Sequence, residues 1–193
     1  MNLPNQLTVA RIIATPIFMA TLLIDFEYKY LVSLVLFVLS CLSDYVDGHL
    51  ARKYNIVTSF GKFLDPLADK MLISTAFIGL MHLGIGEGIS IILFITLFRE
   101  FLVSSLRLVT VSSGGKVVAA NFWGKAKTVC QMVGVGFALF VETLCKDFGI
   151  LDKGTYVSLS IVTTILLWAS AVLCTVSGII YLVQCKDYIN SSK

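Results

Sequence analysis

The chain has 193 residues, 57% of them hydrophobic and 14% charged, with a formal net charge of +3 and a mean hydropathy of +0.89. Soluble domains carry roughly 25% charged residues, so a water-soluble fold is excluded, and so small a net charge argues against nucleic acid as a partner. At about 20 residues per span, this length accommodates six membrane helices with short connections and leaves no room for a separate soluble domain. The expectation is therefore an all-α integral membrane protein, with residues 1–193 forming a single six-helix transmembrane domain.

The first helix is predicted over residues 5–24, after an interfacial turn at Pro4 and Asn5. The opening MNLPNQLTVAR has no basic run and places Arg11 inside its apolar stretch, unlike a cleavable signal peptide, so it is expected to remain in the mature protein. DFEYK ends this helix, and a second runs over 30–53 to the polar break RKYNIV. The third covers 58–82, up to HLGIGEG, and the fourth 88–112, up to SSGGK. A fifth over 118–143 and a sixth over 155–184 are separated by the stretch from Cys145 to Gly154.

Arg11, Arg52, Lys53, Lys116, Lys125, Lys127, Lys186 and Lys193 all fall on one side of this layout, whereas the opposite connections are neutral or acidic. That asymmetry predicts both termini on the cytoplasmic side. Tyr28, Tyr30, Trp123 and Tyr156 fit interfacial aromatic belts. The five cysteines are scattered, without C-x-x-C spacing, which argues against a disulfide framework.

The second and third helices carry acids where hydrocarbon tolerates few. Asp44, Asp47, Gly48 and Ala51 recur at i, i+3, i+4 and i+7, and Gly61, Asp65 and Asp69 at i+4, so each set occupies one helical face. Counting from the turn near Asn55 at about 1.5 Å per residue, Asp47 lies about 12 Å and Asp65 about 15 Å along antiparallel helices, with Asp44 and Asp69 one turn further. The four carboxylates can thus converge in a cluster open to the cytoplasm. Oxygen-only ligands select hard cations, Mg²⁺ or Mn²⁺, and four acids fit two ions better than one. A metal pair is a standard means of activating a phosphoryl group, and Gly48, Ala51 and Gly61 remove bulk so that a nucleotide or a neighbouring backbone can approach closely. The competing readings are buried acids satisfied by basic residues and the proton relay of an ion-coupled transporter.

The run DYVDGHLARKYNIVTSFGKFLDPLAD, Asp44 to Asp69, resembles the signature of the CDP-alcohol phosphotransferases, D-x-x-D-G-x-x-A-R-x(8)-G-x-x-x-D-x-x-x-D, at every fixed position. The resemblance implies the six-helix fold of that family and an enzyme that moves a phosphoalcohol group from a CDP-linked donor to a hydroxyl, releasing CMP. Carried over by position, Asp44, Asp47 and Asp65 would ligate the divalent ions, with Asp69 also near them as general base. Gly48, Ala51 and Gly61 would border the CDP-diacylglycerol site and Arg52 would hold the donor. Family precedent also implies a homodimer.

Within the family, NLPNQLTVAR, FGKFLDPLADK, REFLVSSLR and GKAKTVCQ look like the bacterial branch whose acceptor is sn-glycerol 3-phosphate, in the cytoplasmic membrane. Lys62, Arg99, Arg107, Lys125 and Lys127 form a basic set able to hold the acceptor's phosphate. For Arg107, Lys125 and Lys127 the competing role is anchoring at the membrane surface; for Arg99 it is a pair with Glu100 or an aspartate. Inositol phosphate is the nearest alternative acceptor, then serine or inositol. Asn5, Thr8 and Arg11 are expected to border the mouth of the site.

Overall fold

A computed structural model describes residues 3–53, 59–112 and 122–186. Six long helices follow one another: α1 (Leu3–Leu23), α2 (Lys29–Lys53), α3 (Ser59–His82), α4 (Ile89–Ser112), α5 (Phe122–Glu142) and α6 (Lys153–Gln184), with a π-helical turn at Thr143–Asp147. All regular structure among the described residues is helical. Several ends differ from expectation by one or two residues, and residues 118–121, expected to open the fifth helix, lie outside the described residues; α1 already includes Pro4, which was expected in a preceding turn. A proline in the first turn gives up an N–H that has no intrahelical acceptor, and its fixed φ suits a helix start.

Apolarity and length let α1 (over Gln6–Leu23), α4 (Ile89–Thr110), α5 with its π turn (Phe122–Asp147) and α6 (Lys153–Gln184) cross a bilayer. The chain is an integral membrane protein. Large apolar side chains face outward, as with Phe101 and Leu108 at 70% and 73% exposure; water would penalise such a belt and lipid solvates it. The helices α2 and α3, of 25 and 24 residues, have spanning length, but charged residues lower their apolarity.

α1 packs on α2 and α3, α6 packs on α4 and α5, and α2 meets α5 to join these groups. The core lies toward the ends of α1 and α3 and the start of α4, where Phe18, Leu22, Phe77, Leu80 and Ile92 are buried. Phe18 and Phe37 hold their ring centroids 5.8 Å apart, and Gly79 lets α3 approach α1, since a Cβ there would sit 2.3 Å from Leu22 Cδ1.

A polar staple closes this end of the bundle. Glu142, only 2% exposed, accepts from the Tyr156 hydroxyl at 2.8 Å and lies 2.8 Å from Lys146 Nζ. Lys146 also donates to the Tyr30 hydroxyl at 3.2 Å, and Asp147 Oδ2 accepts from the Leu31 amide at 2.7 Å, capping the first turn of α2. Tyr30, expected in an aromatic belt, is 5% exposed and Tyr156 is tied to Glu142, because a buried carboxylate needs donors more than the interface needs rings.

Asp152 caps α6, accepting from the Thr155 hydroxyl at 2.5 Å and from the Gly154 and Thr155 amides. The Thr155 hydroxyl, more than any other partner, holds its carboxyl below the ordinary aspartate range. The cap is therefore fully present above the ordinary aspartate pKa and lost as pH falls through the lowered one. Amide exchange at Gly154 and Thr155 should stay slow on mild acidification, rise only in stronger acid, and be fast at neutral pH in Asp152→Ala.

Candidate active site

Polar groups gather at the end of the bundle away from the staple. There α2, α3, α4, the first turns of α5 and the last turns of α6 enclose a cavity of about 490 Å³. Two of the signature acids, Asp44 from α2 and Asp69 from α3, line it together. Both helices also bring small or buried neighbours, with Ala68 fully enclosed. The side chains of Asp47, Gly48, Ala51, Arg52, Gly61, Lys62 and Asp65 lie outside the described residues.

Asp44 is ion-paired with Arg11, which reaches across from α1 with a side chain only 1% exposed. Arg11, placed by sequence at the mouth, is thus buried behind Asp44, one turn from Thr8, which is 1% exposed. An arginine enclosed to this degree needs a carboxylate, and Asp44 supplies it.

The opposite wall carries the expected cations. Arg99 and Arg107 from α4, and Lys125 and Lys127 from α5, all line the same cavity as the aspartates. They divide into two kinds. Arg99 Nη1 donates to Glu100 Oε1 at 2.9 Å, and Lys127, 6% exposed, donates to that same oxygen. Lys70 Nζ lies 3.7 Å from Glu100 Oε2 and donates to Ser104 Oγ at 2.5 Å. Arg107 and Lys125 are exposed and make no ion pair among the described residues. The pairing of Arg99 with Glu100, weighed from sequence as the competitor to phosphate binding, is present. Lys127 is buried inside the bundle, where surface anchoring does not account for it.

Arg99 is held from a second side as well. Its Nη2 donates to Ser177 Oγ of α6 at 2.7 Å, and its stem lies against Gly178, where a Cβ would meet Arg99 Cγ at 3.2 Å. Tyr181, one turn further, also lines the cavity. Sequence reasoning gave no role to Ser177 or Tyr181 and treated Glu100 only as a partner for Arg99. Glu100 had a usable signal, being the one acid in the apolar sequence of α4, where a charge must find partners. Ser177 and Tyr181 had none, since a serine and a tyrosine are unremarked in an apolar helix.

A family model described as CDP-alcohol phosphatidyltransferase matches residues 1–176. The chain belongs to that family. Among relatives of this CDP-alcohol phosphatidyltransferase, a protein of Bacillus subtilis (strain 168) is 44% identical over 74% of the chain and 78% of its own length. One of Rickettsia bellii (strain RML369-C) is 41% identical over 97% of each. Another, of Haemophilus influenzae, is 34% identical over 72% of the chain and 76% of the relative. All three are named CDP-diacylglycerol–glycerol-3-phosphate 3-phosphatidyltransferase.

Asp44 and Asp69 bring carboxylate oxygens to one cavity, the donor type that suits a hard divalent cation; Cys41 and Met132 add sulfur atoms to the lining, and imidazole is absent from it among the described residues. Among the described residues no group of three metal-ligating side chains forms. The other two signature acids, Asp47 and Asp65, are outside that set.

Proposed function

We propose that the protein transfers the phosphatidyl group of CDP-diacylglycerol to sn-glycerol 3-phosphate, giving phosphatidylglycerophosphate and CMP. The observation that carries this assignment is the shared cavity, in which Asp44 and Asp69 face the cations Arg99, Arg107, Lys125 and Lys127. A phosphoryl-transfer site needs acids for metal and proton, and an acceptor that is itself a phosphate needs a basic counterpart. Neutral acceptors such as serine or inositol would not. The names of the relatives match the same reaction.

Asp44, Asp47, Asp65 and Asp69 would hold Mg²⁺ or Mn²⁺, two ions in all. Bound there, the metals would neutralise the donor's diphosphate and stabilise charge on attacking and leaving oxygens. Asp69 would take the proton from the acceptor hydroxyl while that oxygen bonds to the β-phosphorus of the donor. The bond between that phosphorus and the bridging oxygen breaks, and CMP leaves. Gly48, Ala51 and Gly61 would admit the cytidine diphosphate and Arg52 would hold it, while the acyl chains stay among the bilayer lipids. Arg99, Arg107, Lys125, Lys127 and Lys62 would grip the acceptor phosphate. Arg107 and Lys125 would do so directly, being free of carboxylates among the described residues.

The proposed setting is one catalytic domain over residues 1–193 with six spans, α2 and α3 included. Their acids would face the bundle interior, where metal and water compensate them. The distribution of basic residues supports placing both termini and the active site on the cytoplasmic side of a bacterial membrane. Family resemblance supports a homodimer, and the small net charge leaves nucleic acid without a role.

An acceptor panel with labelled CDP-diacylglycerol, scored for CMP and lipid product, tests the assignment. Glycerol 3-phosphate should be used far better than glycerol, serine or inositol; equal use would end the phosphate-acceptor assignment, and preference for inositol phosphate would redirect it. Arg107→Ala and Lys125→Ala should each raise the KM for glycerol 3-phosphate about 10- to 100-fold, the loss of one charge-assisted contact, with little change in that for the donor. Arg99→Ala should raise it too, with added loss of stability, because Glu100 and Ser177 lose a partner.

A further inference from the structure

We propose that the Tyr181 hydroxyl belongs to the acceptor subsite, donating a hydrogen bond to the phosphate of the incoming phosphorylated alcohol; this rests on the acceptor assignment above. Tyr181 lines the catalytic cavity yet is only 3% exposed. Its ring is accounted for by packing against Val103 and Cys185. The hydroxyl is not: it is fully enclosed and meets no hydrogen-bond partner among the described residues. Phenylalanine would fill the same space without burying an unsatisfied polar group, so the oxygen is an uncompensated cost until something accepts from it.

The surroundings identify what would accept. Tyr181 follows Ser177 by four residues, on the same face of α6, and Ser177 is the residue that holds Arg99. Arg99 Nε is likewise enclosed and without a partner among the described residues. Arg99 and Tyr181, which both line the cavity with Arg107 and Lys125, thus each carry one enclosed donor without a partner among the described residues. A phosphate monoester offers three acceptor oxygens and negative charge, matching a wall of donors. The acceptor's nucleophilic hydroxyl has to face Asp69 on α3, which leaves the phosphate end for α4 and α6. A phenol suits this position because it adds a directional donor without another positive charge beside Arg99.

Tyr181→Phe in the full-length enzyme tests the inference while keeping the packed ring. The KM for glycerol 3-phosphate should rise about tenfold, with kcat and the KM for CDP-diacylglycerol within about twofold, as expected for lost binding that is equal in ground and transition states. The Ki of inorganic phosphate as a competitor of the acceptor should rise by a similar factor, and thermal stability should hold. An unchanged KM and Ki overturn the proposal, and a raised KM with unchanged phosphate Ki overturns the phosphate contact by moving the hydroxyl to the glycerol end. Calorimetric titration of the intact and variant proteins with inorganic phosphate needs no turnover. If the intact enzyme prefers neutral alcohols, the acceptor assignment fails, and equal phosphate affinity of the two proteins then overturns the role of Tyr181 separately.

Discussion

Asp44→Asn, Asp47→Asn and Asp65→Asn should each remove turnover almost entirely, and so should chelation of divalent ions. Each substitution replaces an anionic oxygen ligand by a neutral amide in a site proposed to hold two hard cations. Losing one metal's stabilisation of a phosphoryl transition state amounts to several kcal/mol, about a thousandfold or more in rate. Calorimetric titration with Mn²⁺ should show weakened binding in all three variants. Asp44→Asn has a second effect, since Arg11 is almost wholly enclosed and loses the charge of its partner. Its melting temperature in detergent should therefore fall, which provides a control: Arg11→Gln should reproduce the stability loss while retaining Mn²⁺ binding. Full activity in metal-stripped enzyme held in chelator would sink the two-metal mechanism.

Asp69→Asn is expected to separate chemistry from binding. The carboxamide keeps the shape of the side chain but cannot accept the proton of the acceptor hydroxyl, so kcat should drop by about 10² or more. CDP-diacylglycerol should still bind, measured by calorimetry or by a nucleotide-binding assay. Near-normal turnover would remove Asp69 from the role of base, and lost donor binding would make it chiefly a metal ligand. Asp69 shares one cavity with Asp44 and the basic residues, which supports the role proposed for it.

The helices and the acidic hairpin were legible in sequence because both depend on short-range regularities. Runs of apolar residues near bilayer length, interrupted by HLGIGEG or the stretch before Gly154, mark helices without any knowledge of their neighbours. Spacings of three and four put Asp44 beside Asp47, and Asp65 beside Asp69, on single helical faces. The signature from Asp44 to Asp69 and the basic set Arg99, Arg107, Lys125 and Lys127 were likewise visible as residue types in order. Membership of the family rests on that order.

Which side chains share a wall is a different matter, because it depends on how helices far apart in sequence pack. Arg11 and Asp44 are 33 residues apart, Lys127 and Glu100 27, and Arg99 and Ser177 78. No periodicity along one helix encodes such pairs. A buried charge takes whichever counter-charge the packing presents, so the division of the cations into Arg99 and Lys127, tied to Glu100, and Arg107 and Lys125, left open to the cavity, emerges only in the folded bundle. Tyr30 and Tyr156 show the same principle at the other end, drawn from the interface by Lys146 and Glu142. By itself, then, the sequence determined the membrane character, the order of helices and the family signature on α2 and α3, since those follow from composition and local order. Only tertiary structure decided the partners of Arg11, Glu100 and Arg99 and the enclosure of the Tyr181 hydroxyl, because burial and pairing are properties of surfaces that meet.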